Sequence, residues 1–262
     1  MVFALIVILS LECADATIFN SSKKTGGKVA VKTGKRTEGL DASVIISKMI
    51  DSYGGLEKWQ AIRGWSSIIL IEDYSLDGTQ MCKHYIRLPD KFRFDVEVNR
   101  GGKEEVFQLI YNAGTIKYLK DGKEVERTPS EMFLFLEETL RRFQRIRGPT
   151  QIKHWNSIKD WMDLIGKQTV KGRECYVLEY RKSKKTKTKL FVDTGTFRRV
   201  KKEVDRGYND KFIEVFHGDK TLKANGIEVP VSKLLYYDGE LVSKLEFRSL
   251  SFALPDESLF EF

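Results

Sequence analysis

The chain has few of the residues on which catalysis and metal binding most often depend. Only three of its 262 residues are histidine and three are cysteine. The histidines, His84, His154 and His217, stand in no H-E-x-x-H or H-x-H pattern, and neither C-x-x-C nor G-x-S-x-G occurs. These absences exclude the common zinc, thioredoxin-like and α/β-hydrolase motifs. They predict a protein that is not an enzyme and that uses no metal and no cofactor.

Acidic residues do not supply an obvious acid–base pair either. Asp95 and Glu97 alternate with apolar residues, which places them on the polar face of a predicted strand. Asp163 and Asp193 have no identifiable partner in the sequence. A pair of carboxylates poised for general acid–base chemistry is therefore not expected.

Long apolar runs are missing as well. The run Val2–Leu11 is too short to span a bilayer in the usual way. Ala14-Asp15-Ala16 follows it as an A-x-A cleavage site, so residues 1–16 are predicted to be a signal peptide, although no Lys or Arg precedes the run. Two alternatives stay open: a lipid anchor on Cys13, which Glu12 rather than a small residue precedes, and a buried N-terminal segment.

Positive charge is concentrated outside the predicted domain. The formal net charge is +8, and the stretch 17–37 contains six bases and no acid: Lys23, Lys24, Lys28, Lys32, Lys35 and Arg36. Residues 17–39 are therefore predicted to be a flexible basic linker, either a solvated spacer or a segment attracted to an anionic membrane surface. A second basic group surrounds one hairpin turn between Arg181 and Lys189. It is either a solvated hairpin tip or a site that docks to anionic lipid or an acidic partner, and nucleic acid is not expected because no aromatic residue lies between Tyr180 and Phe191.

The two cysteines of the domain, Cys82 and Cys175, both lie in strand-like runs. In an oxidising compartment they could form a disulfide, or they could remain thiols that pack as small apolar residues. The sequence leaves this open.

One helix is predicted in the middle of the chain, over Thr128–Arg147. Thr128, Pro129 and Glu131 form a capping box with proline at the first helical position, and Gly148-Pro149 is predicted to end the helix. Its apolar residues form one broad face that another part of the protein must cover. They include Met132, Phe133, Phe135, Leu136, Leu140, Phe143 and Ile146.

Most other segments predict strands. Asp41 is predicted to cap a helix with Val44, Ile45, Met49 and Ile50 on one side. Turn signals then separate about eleven strands, five or six of them before the central helix. Tight turns are predicted at Asp121-Gly122 and at Asp238-Gly239, and the second of them joins strands over Glu228–Tyr237 and Leu241–Phe252. A sheet of that size must curl or close. We therefore predict an α+β domain over residues 40–262, in which a large curved antiparallel sheet forms a half-open, unclosed β-barrel and helices cover its concave apolar face.

Several segments together resemble the LolA/LolB-like lipoprotein-sorting family of carriers. The resemblance covers about residues 41–262 and depends on the order and spacing of the segments more than on any one of them. They are YGGLEKWQAIRGWSSI, LPDKFRFDVE, YNAGTIKYLKDGK, GRECYVLEYR, KLFVDTGTFRRVKKEV, GIEVPVSKLLYYDGELVSKLEF and FALPDESLFEF. Where that family has an arginine before Pro-x-x-Phe, this chain has Leu88, with Arg87 one position earlier.

The resemblance implies a monomeric periplasmic carrier that holds lipid acyl chains, or an acylated lipoprotein, in a hydrophobic cavity under a lid helix. The alternative is a non-enzymatic cell-envelope module that binds another protein, with side chains filling the barrel. For the carrier, the predicted wall of the cavity consists of Phe92, Phe94, Val96, Phe107 and Leu109. The predicted lid residues are Met132, Phe133, Phe135, Leu136 and Leu140.

Overall fold

The computed structural model describes residues 40–75, 77–125, 148–181, 183, 186–207, 211–216 and 220–262. Several predictions concern residues outside these ranges. They are the signal peptide 1–16, the linker 17–39, the helix Thr128–Arg147 with all five lid residues, His217, and the hairpin lysines Lys182, Lys184 and Lys185.

Two helices open the domain. Helix α1 (Ala42–Ser52) begins at Asp41, whose carboxylate accepts a hydrogen bond from the backbone N–H of Val44 at 2.9 Å, as predicted. Ile45, Ile46 and Met49 are fully buried, whereas Val44, which was predicted on the same side, is 37% exposed. That prediction was wrong because Ile46, not Val44, completes the buried face. Helix α2 (Leu56–Ala61) follows and buries Trp59.

Gly54 separates these helices and is required by its surroundings. Its φ of 111° is disfavoured for residues with a side chain, and a Cβ atom there would lie 2.5 Å from the carbonyl oxygen of Gly226. The end of α1 consequently lies directly against a later hairpin.

In the described residues up to 125, six strands follow, in agreement with the five or six predicted, and consecutive strands pair in antiparallel fashion. Asp121-Gly122 forms the last turn, with φ angles of 50° and 74°. The strands are β1 (Gly64–Asp73), β2 (Gly78–Arg87), β3 (Lys91–Arg100), β4 (Lys103–Asn112), β5 (Thr115–Lys120) and β6 (Lys123–Glu124).

Helix α3 (Gly148–Ile158) precedes the second half of the sheet. Gly148 and Pro149 are the first residues of this helix, and the helix that they were predicted to end lies outside the described residues. A proline in the first turn is tolerated because its missing N–H would have no partner within the helix. Trp155 of α3 is buried, but Trp161, in the 3₁₀ turn Lys159–Trp161 that follows, is 74% exposed.

Nine further strands complete the chain. They are β7 (Asp163–Val170), β8 (Arg173–Arg181), β9 (Lys187–Asp193), β10 (Arg199–Asp205), β11 (Lys211–Phe216), β12 (Thr221–Ala224), β13 (Ile227–Pro230), β14 (Ser232–Tyr237) and β15 (Glu240–Ser251). A second 3₁₀ turn, Glu257–Phe260, buries Phe260. Among the described strands, β12 and β13 alone stand apart, as a two-stranded sheet, which corrects the single strand predicted over Glu228–Tyr237.

The other thirteen strands form one antiparallel sheet that does not close, which confirms the predicted α+β unclosed barrel with more strands than the eleven expected. Its order is β6-β5-β4-β3-β2-β1-β15-β14-β11-β10-β9-β8-β7. The first strand thus pairs with the last, and the two open edges, β6 and β7, are the strands that flank residues 125–162.

The inner face of the sheet is the face on which the helices pack. The helix-covered cluster joins Ile45, Met49 and Trp155 to strand residues such as Phe92 and Leu178. The strand-only cluster has no helical member among the described residues. It consists of Ile69, Ile71, Cys82, Val96, Val98, Val204, Phe212, Leu235 and Leu245.

Candidate functional site

The five predicted wall residues lie on one face of two neighbouring strands. In the register of β3 and β4, Phe94 is opposite Leu109, and Val96 is opposite Phe107. Because side chains alternate along a strand, Phe92, Phe94 and Val96 share the inner face with Phe107 and Leu109. The rings of Phe92 and Phe94 stack with their centroids 5.0 Å apart.

These residues differ in exposure. Phe92, Phe94 and Val96 are buried, whereas Phe107 and Leu109 on β4 are half-buried. Phe92 and Phe94 belong to the helix-covered cluster, and Leu109 packs against it. Val96 belongs to the strand-only cluster, and Phe107 packs against that one. The wall therefore crosses the boundary between the two halves of the inner face.

In the sequence, the predicted lid segment connects the two edge strands of the sheet. Residues 126–147 leave the edge strand β6, and they join α3, which leads to the other edge strand, β7. The five predicted lid residues belong to this stretch, outside the described ranges.

The inner face also carries a buried ionic group that the sequence did not reveal. Lys202 on β10, Glu214 on β11 and Lys233 on β14 are brought together by strand register. The Nζ atom of Lys233 lies 3.2 Å from Oε1 of Glu214, and that of Lys202 lies 3.7 Å from Oε2. Lys202 and Glu214 are 1% and 2% exposed.

The charges of this group depend on each other. Burial alone would raise the pKa of the Glu214 carboxyl, but Lys233, Lys202 and Arg199 together lower it to about 2. The inner face is thus not uniformly apolar, since it holds a carboxylate that is charged at neutral pH.

Residues that could suggest catalysis have structural contacts instead. Asp95 accepts hydrogen bonds from Arg93 at 2.9 Å and Gln108 at 3.2 Å, and Glu97 pairs with Lys83 at 2.6 Å, all on the outer face. His84 packs its ring edge-on against Phe94. Within the described ranges, no group of three or more His, Cys, Asp or Glu residues could hold a metal ion.

The cysteines do not form a disulfide. Cys82 lies in the strand-only cluster on the inner face, and Cys175 packs with Val177 and Phe191 on the outer face. Burial raises the pKa of the Cys175 thiol to about 11, with Asp193 contributing, so this thiol is neutral at physiological pH.

Arg87 lies on the outer face. Its Nε atom is 2.9 Å from Glu257, and its guanidinium donates to the carbonyl oxygen of Pro255 at 3.0 Å. Arg87 therefore anchors the C-terminal segment rather than the side of the sheet that faces the helices. None of the described helices is both long and apolar enough to cross a membrane.

Comparison with known proteins gives distant structural similarities. No protein-family model matches the chain, and no curated protein matches it in sequence. A DUF1329 family protein from Desulfovibrio piger is 12% identical, with a TM-score of 0.47 over 84% of this chain and 97% of the other. An outer membrane lipoprotein-sorting protein domain from Vibrio parahaemolyticus is also 12% identical, with a TM-score of 0.45 over 84% and 96%.

A LolA superfamily protein from Nitrosomonas europaea is 13% identical, with a TM-score of 0.45 over 86% of this chain and 99% of that one. Two of these three structures carry the names of the family that the sequence resembles. At such low identities and TM-scores, they do not identify what this protein binds.

Proposed function

We propose that this protein is an exported, non-enzymatic carrier that buries the acyl chains of a lipid or of an acylated lipoprotein. The acyl chains lie against the inner face of β3 and β4, and residues 128–147 form a helical lid. The protein acts in the periplasm or elsewhere in the cell envelope.

The observation that carries this proposal is the division of the inner face. One half is covered by α1 and α3, but the strand-only cluster has no described helix in it. Half-buried apolar side chains, Phe107 and Leu109, lie at the boundary on β4. The segment that joins the two open edges has the apolar residues needed to cover that half.

The energetics need no polar binding motif. Each methylene group transferred from water to an apolar site contributes roughly 0.8 kcal/mol, so two long acyl chains are sufficient for tight binding. Polar groups on the inner face then stabilise the fold or bind the headgroup, and the affinity for acyl chains does not depend on them.

The direct test introduces a charge into the wall. We expect Leu109→Asp to weaken uptake of a fluorescent fatty acid at least about tenfold, because the acyl chain would meet a desolvated carboxylate. Titration of the purified domain measures the change. Circular dichroism and the urea midpoint show whether the variant is folded, and Phe107→Ala takes its place if it is not.

The same strand offers a matched control. Val106 is 37% exposed and lies on the face of β4 opposite to Leu109. Val106→Asp therefore adds the same charge to the same strand but away from the proposed wall, and it should leave uptake unchanged. Equal uptake by wild type and a folded Leu109→Asp variant would contradict the proposed wall.

A second candidate function is the protein-binding envelope module. The observation that favours it is the burial of Phe92, Phe94 and Val96 by the protein's own side chains, as in a filled barrel. A wild-type domain that takes up no fatty acid would favour this module over the carrier.

A further inference from the structure

A cavity of about 230 Å³ lies where the end of α1 meets the turns of the second half of the sheet. Five of its ten lining residues are Lys or Arg, and none is Asp or Glu. The lining consists of Tyr53, Lys171, Arg173, Arg198, Arg199, Val200, Phe216, Lys220, Thr221 and Pro230.

Arg199 is fixed at the wall of this cavity. Its guanidinium lies between two aromatic rings, 4.5 Å from the centroid of Trp155 and 4.3 Å from that of Phe216. Its backbone N–H donates to the hydroxyl of Tyr53 at 3.1 Å. The planar cation is therefore held in one orientation before any ligand arrives.

The donors of Arg199 are not all used. Nε and Nη1 are buried and have no hydrogen-bond acceptor among the described residues. A buried donor without an acceptor is unfavourable, and a ligand oxygen would remove that cost. Nε and Nη1 lie on different edges of the guanidinium, so each offers a separate charge-assisted hydrogen bond to a phosphate oxygen.

Two described acids near the cavity, Glu228 and Asp193, are engaged elsewhere. Glu228 binds Arg198, Lys223 and Thr221, and the hydrogen bonds from Lys223 and Arg198 lower its pKa to about 2. Asp193 accepts backbone hydrogen bonds from Gly195 and Thr196.

In the part of the chain that the structure describes, Lys171, Lys220 and Arg199 have no carboxylate within ion-pair distance. Lys171 and Lys220 thus leave positive charge in the cavity for a ligand, whereas the charge of Arg199 also acts on the Glu214 carboxylate. The five cations of the lining come from different strands and connecting segments. Because they line the same cavity, their charges act on one small volume.

We propose that this cavity binds a phosphate group, with Arg199 as the oriented donor and Lys171 and Lys220 as the charges at its rim. It is smaller than the roughly 300–1,000 Å³ of pockets for drug-sized ligands, so it suits a free phosphate or one lipid headgroup and excludes acyl chains. The site is separate from the wall on β3 and β4 and does not depend on acyl binding.

The test compares two double variants of equal charge. Lys171→Gln with Lys220→Gln removes the rim charges, and Lys103→Gln with Lys123→Gln removes two exposed lysines from the other half of the sheet. Inorganic phosphate is titrated into each protein at low ionic strength and followed by calorimetry. Co-sedimentation with phosphatidylcholine vesicles, with and without phosphatidylglycerol, tests the headgroup.

We expect saturable phosphate binding that is roughly tenfold weaker in the rim variant and unchanged in the control variant. Binding that appears only with phosphatidylglycerol vesicles, and that the rim variant alone loses, assigns the same site to a lipid headgroup. The proposal is overturned if the wild type binds neither phosphate nor phosphatidylglycerol vesicles, or if the rim variant and the control variant lose binding equally. Fatty-acid uptake by the same samples is read separately, so failure of the carrier function remains distinguishable.

Discussion

Glu214 carries a negative charge although only 2% of its surface is exposed. Taking a carboxylate out of water costs several kcal/mol unless cations are close by, and here Lys233 and Lys202 supply them. Removing the acid would leave the buried Lys202 and the partly buried Lys233 without their shared counter-charge. The group therefore fixes the register of β10, β11 and β14 more than it adds to net stability.

We expect Glu214→Gln to lower the free energy of unfolding at neutral pH by roughly 3–5 kcal/mol. The folded-state pKa of about 2 lies below the ordinary value of 4.5, so the wild-type contribution is complete above pH 4.5 and is lost as pH falls toward 2. The difference between wild type and variant should therefore shrink at acidic pH. Urea denaturation at neutral and acidic pH measures both effects.

The exposed pair Lys83–Glu97 provides the control, because both partners are largely in water. Glu97→Gln should change the free energy of unfolding by less than about 1 kcal/mol. A variant at Glu214 that is as stable as wild type at neutral pH would show that its charge is not buried.

At this scale, simple alternation predicted which residues of β3 face inward. Phe92, Phe94 and Val96 repeat every second position, and a strand can bury them on one face only. The group around Glu214 was not predictable in this way. Lys201 and Lys202 are adjacent and look alike in sequence, and only pairing with β11 decides which of them is buried.

At the scale of elements, short sequence motifs predicted a helix cap and tight turns, which depend on neighbouring residues. Asp41 caps α1, and Asp121-Gly122 and Asp238-Gly239 form the predicted turns with positive φ. The hairpin β12–β13 was missed although Asn225-Gly226 is a turn signal of the same kind. Val231 then separates β13 from β14, which is why the strand predicted over 228–237 is two strands in two sheets.

The proposed lid is the element on which the proposed carrier function depends. We expect Leu136→Asp to abolish binding of a fluorescent fatty acid, because a carboxylate on the apolar face of the proposed helix would oppose its docking on the sheet. The sheet itself should still fold, because its described strands share apolar clusters of their own.

Glu137→Asp is the matched control, because it places an aspartate at the next position in the sequence, on the proposed polar side of the helix. It should bind the fatty acid as wild type does. Unfolding of the whole domain by Leu136→Asp, seen by circular dichroism, would mark Leu136 as ordinary core and contradict its role as a lid residue.

At the scale of the whole molecule, the pairing of β1 with β15 determines the architecture. It joins the two halves of the sheet at their ends in the sequence and leaves β6 and β7 as the open edges. Residues 125–162, in the middle of the chain, therefore connect those two edges. No local signal predicts this pairing, because it joins residues that are almost the full length of the domain apart, such as Ile69 and Phe247.

The central claim is that this open sheet holds acyl chains, and native mass spectrometry of the protein purified from its own envelope fraction tests it most directly. We predict an adduct on the protein mass that yields an acyl lipid or an acylated peptide on extraction. A bare protein mass, together with no uptake of a fluorescent fatty acid by the purified domain, would contradict the claim and favour the protein-binding module.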